Sequence, residues 1–509
     1  MEIVRSISSS SDEEFAKLNM RMNMPSVVIE NNTNINVTKI LVRDLSTQST
    51  CLSLHSPDIE GARHVFLQVN SSKNYGVLFK VVQVMADLNL IVKKAYIASE
   101  GGWFLDVFNV TDQGGNKITD EGILDYIKNV SYLILRGNSK ILPRVCQTRR
   151  FLNDSFLFVF PSTDHTTIEL IGRDRPGLLS DVSAVLMNLG CNIVSGEVWT
   201  HNNRMASVIH FTDSDTGSAI SDMCRLAHIN KLLSKLLESS DESTTTAMAA
   251  VPDKIHHPAR RIHQMMFNDR DFEIADHDEI SEDSHENKDL PKVRIDDCKD
   301  KDYSLVMIWS ADRPKLLFDT VCTLTDMGYV VYHACIDAES PEAYQEYYIR
   351  HTNGQPVKTD VERQRLKLCL RAAIKRRVSE GLKFELYTVD RVGLLADVTC
   401  KIRENGLTLT RVEIKTDKGQ AMNTFYVRNA LGYPVDYKIV DSIRESIGRT
   451  ALQVKGGPEE EKTEAAAAQE SPRGFPFDLW KPLKHFSMLR SILYRELKLL
   501  VTVAGVAGL

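Results

Sequence analysis

The chain lacks the cysteine pattern of a secreted scaffold. Its nine cysteines are scattered and odd in number, with no C-x-x-C pair, which argues against a full disulfide framework and points to a reducing compartment. Positive charge is not in excess: 62 Lys and Arg stand against 68 Asp and Glu, for a net charge of −6. Bulk electrostatics therefore give no reason to expect nucleic-acid binding. No stretch reaches the roughly 18 apolar residues of a membrane span. The N-terminus has no apolar core for a signal peptide, and its acidic Ser8–Glu14 run speaks against a transit peptide. The P-loop, the Gly-rich dinucleotide turn after a strand, G-x-S-x-G and H-E-x-x-H are all missing. The expectation is a non-catalytic intracellular protein, in the cytoplasm or the nucleus, with no cofactor, no metal, no membrane and no nucleic-acid partner.

What is present is a repeat. Four segments pair a turn with an apolar helix: Asn74–Leu78, Asp174–Leu179, Asp312–Leu317 and Asp390–Leu395. Counted from Gly76, Gly177, Lys315 and Gly393, each helix should end twelve residues on, at Leu88, Leu189, Met327 and Asn405. The later apolar runs end thirty-six residues on, at Asp112, Asp213, His351 and Asn429. Four copies in step over that distance define a repeat architecture.

Copy one shows the plan. Val65, Leu67 and Val69 alternate as in a strand, and Val77, Val81, Val84 and Leu88 share a helical face. Two strands, Leu90–Ser99 and Trp103–Thr111, follow with Gly101-Gly102 between them, and a helix starts near Thr119. With one more strand this is a ferredoxin-like βαββαβ unit. The spacing puts that strand at either Ser131–Leu135 or Phe156–Phe160 in copy one, at Thr244–Val251 in copy two and at Ala451–Lys455 in copy four. Copy three has almost no room for it before the strand Lys383–Thr388, so its edge must be completed another way.

The fold class expected is α+β: four ferredoxin-like units as two tandem pairs. The boundaries read 1–62 mostly disordered, 63–147 and 166–251 as units one and two, and 252–302 as an acidic linker with a short helix at Arg260–Phe267. Units three and four take 303–381 and 382–457, and 458–509 is a low-complexity and apolar tail. The linker histidines His256, His257, His263, His277 and His285 lack fixed ligand spacing and read as solvated. Lys375-Arg376-Arg377 reads as a solvated helix face, and Trp103, Phe104 and Phe108 as sheet core or unit–unit interface rather than an RNA-stacking platform.

The Asp-Arg-Pro-Gly-Leu-Leu turn in such a unit resembles the ACT domain, a small regulatory module that often binds amino acids. With Gly101–Asp112 and Glu197–Asn202, the four copies resemble plant ACT-domain repeat (ACR) proteins from about Arg63 to Gly457. Thr38–Ala62 and the end after Arg490 depart from that likeness. The resemblance implies a ligand at an interface between two units, with the turn as one wall. The other wall is a polar residue eighteen positions after the turn's Asp. Copy two keeps the whole pattern: Asp174, Arg175, Gly177, Leu178 and Asn192. Copy four, with Asp390, Gly393, Leu394 and Thr408, is the second candidate. Copy three has Lys315 and Val330, and copy one Lys73 and Ile91, which suits packing partners.

The chemistry stands apart from the likeness. Glycine at a helix start allows close backbone approach, and free N–H groups there suit a carboxylate. An Asp can take an ammonium, and an Asn amide both donates and accepts. A turn with Asp as helix cap is the plainer reading of the same residues. The implied partners are a free amino acid, a regulated protein not identifiable from sequence, and other ACT units through self-association. A scaffold whose units bind no ligand is the alternative. Tandem ACT units also follow a catalytic domain in bacterial protein uridylyltransferases, for which this chain has no room.

Overall fold

A computed structural model describes residues 26–30, 37–44, 76–100, 103–135, 165–237, 246–250, 257–273, 291–298, 302–378, 381–431 and 435–455. Copy one contributes β1 (Ser26–Glu30), β2 (Thr38–Asp44), α1 (Val77–Asp87), β3 (Ile91–Glu100), β4 (Trp103–Thr111) and α2 (Glu121–Leu135). Copy two gives β5 (Thr166–Arg173), α3 (Leu178–Asn188), β6 (Cys191–His201), β7 (Arg204–Asp213), α4 (Met223–Leu237) and β8 (Thr246–Ala250). After α5 (Pro258–Asn268), copy three gives β9 (Lys292–Cys298), β10 (Tyr303–Ala311), α6 (Leu316–Asp326), β11 (Tyr329–Asp337), β12 (Glu342–His351) and α7 (Asp360–Lys375). Copy four gives β13 (Leu382–Val389), α8 (Leu394–Glu404), β14 (Leu407–Asp417), β15 (Gln420–Asn429), α9 (Tyr437–Ile447) and β16 (Leu452–Lys455). The helix that opens each copy is C-capped at Leu88, Leu189, Met327 and Asn405, where the repeat register puts it.

Two compact bodies result: one is built on copies one and three up to Arg363, the other, called the even pair below, on copies two and four together with α5 and α7 from Gln364 on. The pairs are not tandem. Copies one and three share an eight-stranded sheet in the order β1-β2-β4-β3-β11-β12-β10-β9, and copies two and four share β16-β13-β15-β14-β6-β7-β5-β8. The joints are antiparallel, with Ala98 opposite His333 in the odd pair and Val198 opposite Val412 in the even pair. Side chains also meet across the joints. In the odd pair Lys94 meets Glu339 at 2.5 Å and Lys93 lies 3.7 Å from Asp312. In the even pair Arg403 donates to Asp181 at 2.8 Å, and the Thr200 hydroxyl donates to the Thr410 carbonyl at 3.1 Å. Repeat spacing carries no information about such contacts across copies.

The edges differ between the pairs. Even copies finish with a C-terminal edge strand, β8 or β16, beside β5 or β13. Odd copies place an N-terminal strand there: β1 pairs with β2 and β9 with β10. Three expectations are corrected as a result. Residues 26–30 and 38–44 are sheet strands inside the segment expected to be mostly disordered. Ser131–Leu135 lies in α2. Lys292–Cys298, inside the segment expected to be linker, is a strand, and with it copy three completes its edge another way, as expected. Val65–Val69, Phe156–Phe160, Lys73, His256, His277, His285 and residues 456–509 lie outside the described residues.

The core sits between sheet and helices. In the even pair Leu178, Leu179, Val182 and Leu186 of α3 meet Leu394, Leu395, Val398 and Ile402 of α8 over Phe211, Phe384 and Phe425. In the odd pair Phe79 of α1 packs on Phe318 of α6, ring centroids 5.8 Å apart. Full burial of each such side chain stabilises by about 1.5–3 kcal/mol. Phe108 is buried in the sheet as expected.

Candidate functional site

The repeated turn has one geometry in three copies. The residue just before the helix is left-handed, with φ of 82° at Gly177, 65° at Lys315 and 81° at Gly393, whereas Gly76 is at −107°. None of these four residues caps its helix with a side chain. Asp174 and Asp312 take the N–H of the next residue, Arg175 and Arg313. The first helical N–H bonds back into the turn, Leu178 to the Arg175 carbonyl and Leu394 to the Arg391 carbonyl, both at 3.1 Å. The arginine of each turn instead reaches forward to an Asp in the helix: Arg175 to Asp181 at 2.7 Å, Arg313 to Asp319 at 2.7 Å and Arg391 to Asp397 at 2.5 Å. The N–H groups that follow in the first turn have no carbonyl of their own helix to bond, and such a helix start suits an anion.

Each turn of the even pair faces the other copy. The cleft at Asp390, Gly393 and Leu394 of copy four takes Asn192 of copy two as its far wall. The cleft at Asp174, Arg175, Gly177 and Leu178 takes Thr408 of copy four. The nine sequence candidates therefore divide between two clefts, and Asp174 and Asn192, though in one copy, line different ones. Antiparallel pairing of β6 with β14 produces this exchange, because it carries each copy's second strand to the other's turn.

Polar groups converge on the Gly393 cleft. The Thr416 hydroxyl donates to Asp390 Oδ2 at 3.3 Å. Asn423 lines the cleft, is 4% exposed, and accepts the Lys415 backbone N–H on Oδ1 at 3.1 Å. Met187 overlies Gly393: a Cβ added there would meet its Cγ at 3.3 Å and its sulfur more closely still. In the Gly177 cleft, burial pushes the Asp174 carboxyl up to about 6, against the backbone N–H of Arg175 and the charges of Arg428 and Arg175. Arg403 overlies Gly177, its Cγ 3.1 Å from where a Cβ would sit.

The corresponding cleft of the odd pair is furnished differently. Asp312, Lys315 and Gln345 face Leu90, Ile91 and Val92 across it. A β-bulge between Val92 and Lys94 sets Lys93 apart from the ladder, and its ammonium lies 3.7 Å from Asp312. Burial raises the Asp312 carboxyl, with the Lys93 charge opposing that shift. The odd pair thus supplies its own cation to the turn's carboxylate.

The linker segment is a built part of the even pair. Within it α5 covers the expected Arg260–Phe267, and Asp271 just beyond is fully buried. Arg376 donates to Asp271 through Nε at 2.8 Å and Nη2 at 2.5 Å, and His201 Nδ1 lies 2.9 Å from Oδ2. Burial acts to raise the Asp271 carboxyl, but Arg376 and His201 outweigh it and hold the group down at about 2. His263 stacks edge-on against Trp199 and lies 3.0 Å from Arg376 Nη1. Arg377 lies over the Trp199 ring, 4.4 Å from its centroid. The solvated readings of His263, Arg376 and Arg377 are therefore corrected. Each is buried because the linker turns its polar groups onto the sheet.

Sequence reasoning missed Met187, Arg403, Thr416 and Asn423. A signal was present in the register: ten residues after the turn come Met187 and Arg403, and thirty after come Asp106, Ser207, Gln345 and Asn423, all polar and all buried. Among the described residues no group of His, Cys, Asp and Glu could hold a metal ion, and no helix is long and apolar enough to cross a membrane.

Comparison with known proteins bears on these features. Residues 62–132 match the ACR family N-terminal ACT domain, and residues 166–228 the ACT domain. The chain is 47% identical over 492 residues to ACT domain-containing protein ACR4 of Arabidopsis thaliana, covering 96% of this chain and 99% of that protein. It is 48% identical over 499 residues to ACT domain-containing protein ACR5 of the same plant, covering 96% and 100%. A bifunctional uridylyltransferase/uridylyl-removing enzyme of Azospirillum brasilense is 28% identical over 207 residues, which cover 38% of this chain and 22% of that enzyme. The four ferredoxin-like units and the near full-length likeness to ACR4 and ACR5 lead to one conclusion: this chain belongs to the ACR family of ACT domain-containing proteins.

Proposed function

We propose that this protein is a non-catalytic regulator that binds free amino acids in the clefts of its even pair and acts as an amino-acid sensor. The observation that carries the reading is the Gly393 cleft. There the uncapped start of α8, the Asp390 carboxylate oriented by Thr416 and the Asn192 amide of the other copy converge. The helix start suits a ligand carboxylate, Asp390 its ammonium and Asn192 either group. A ligand held this way touches both copies and favours their paired arrangement. Through that arrangement it couples to a regulated protein by typically ~1–3 kcal/mol. Self-association through ACT units is a second route for the same coupling. The protein acts in the cytoplasm or the nucleus.

The odd pair supports the scaffold reading for its own half. Lys93 stands beside Asp312 where a ligand ammonium would go, and Ile91 stands where the even pair has Asn192 or Thr408. Thermal shift against the common amino acids tests the proposal, since a ligand at a hundred times its Kd adds about 2.7 kcal/mol of apparent stability. Asp390→Ala and Asn192→Ala should each remove the response of the Gly393 cleft. A well-folded protein that responds to no amino acid would be a scaffold throughout.

A further inference from the structure

The two clefts of the even pair are related by a pseudo-twofold exchange of copies, so their residues can be compared position by position. Ten residues after the turn glycine, the copy of the Gly177 cleft has Met187 and that of the Gly393 cleft has Arg403. Each crosses to overlie the other copy's glycine. Thirty-five residues after the glycine come Thr212 and Arg428, which sit opposite the wall residues Asn192 and Thr408 in the strand ladders. The exchange therefore puts Met187 and Thr212 around the Gly393 cleft, and Arg403 and Arg428 around the Gly177 cleft.

The charge difference is large for sites otherwise alike. Around the Gly177 turn are Arg175, Arg403 and Arg428 against Asp174 and Asp181, three positive and two negative, or +1. Around the Gly393 turn are Arg391 against Asp390 and Asp397, one positive and two negative, or −1. Arg403 is held at 2.8 Å from Asp181, which also takes Arg175 at 2.7 Å. Two arginines thus share one carboxylate beside the cleft, and a carboxylate arriving on a ligand could take one of them. In the Gly393 cleft the Met187 thioether and the Asn423 amide offer packing and a neutral hydrogen-bonding group.

We propose that the two clefts take different amino acids: the Gly177 cleft one with an acidic side chain, the Gly393 cleft one with a neutral side chain, with Arg403 and Met187 as the residues that set the difference. This rests on the reading of both clefts as amino-acid sites. Arg403 acts by giving an incoming side-chain carboxylate a partner, and Met187 by offering none.

The test is calorimetric titration of the full chain, with Asp390→Ala silencing the Gly393 cleft. Glutamate is compared with glutamine and aspartate with asparagine, so that only charge changes. With the Gly177 cleft alone, the acid should bind at least tenfold tighter than its amide. Adding Arg403→Met should abolish that preference, and Arg403→Lys should keep part of it, which separates charge from a folding defect. Met187→Arg in an Asp174→Ala background should give the Gly393 cleft an acid preference. An acid-to-amide ratio unchanged by Arg403→Met overturns the charge assignment while leaving amino-acid binding in place. A wild type that binds none of the common amino acids overturns both.

Discussion

The odd and even pairs share the turn, the helix register and the continuous antiparallel sheet, yet they differ in what fills the turn. In the odd pair the turn residue is Lys315 and the carboxylate beside it has Lys93 for company. In the even pair both turns are glycine, and the groups opposite them are Asn192 and Thr408. The same bulge occurs in all four copies, but only in copy one does it carry a lysine toward an Asp. One backbone therefore carries two kinds of turn, and the difference between them rests on a few side chains. The difference extends to the edges, where odd copies use a preceding strand and even copies a following one.

Removing the group that ties the linker to the even pair should have the largest effect. Asp271→Ala leaves Arg376 buried without its carboxylate, and should cost about 3–5 kcal/mol in urea denaturation. A loss below about 1 kcal/mol would show that the linker contributes little to this pair.

Asp174 gives a pH signature to the even pair. Its folded pKa, about 6, lies above the unfolded value, so the folded state binds a proton between pH 6 and 4 that the unfolded state does not. The penalty of burying this carboxylate is complete above pH 6 and fades as pH falls. Asp174→Asn should therefore gain at most about 3 kcal/mol at pH 7.5 and almost nothing at pH 4. The charged groups nearest it are Arg175, Arg428, Asp181 and Arg403. Denaturation at the two pH values measures the difference, and an equal gain at both would refute the burial argument.

Smaller changes test the turns. Gly393→Ala must hold a side chain at φ 81° and displace Met187, so it should lose about 1–2 kcal/mol and any ligand at that cleft. Lys93→Ala should cost about 1 kcal/mol, since Asp312 and Lys93 are both partly exposed. Lys315→Gly should gain about 1 kcal/mol by relieving a left-handed lysine at φ 65°. A loss in that last variant would mean that the Lys315 side chain contributes more than its backbone strain costs.

Much of each copy was legible in sequence because its determinants are local. The αL glycine, the apolar face Leu178, Leu179, Val182 and Leu186, and the helix end at Leu189 lie within a dozen residues of one another. Partner choice was not legible, because Thr200 and Thr410 are 210 positions apart and Arg403 and Asp181 are 222 apart. The site candidates were grouped by copy, whereas antiparallel pairing groups them across copies. The buried Arg376 and His263 escaped for a related reason: a basic run and a linker histidine look solvated until a distant Asp271 is folded against them.

The proposed function rests on a ligand cleft shared between copies two and four. Calorimetric titration of wild type, Asp390→Ala and Asn192→Ala with one amino acid that stabilises the wild type, a ligand of the Gly393 cleft, tests it most directly. Either change, one in each copy, should remove the same binding event while the fold stays intact. Binding that persists at full strength in either variant would contradict a shared cleft.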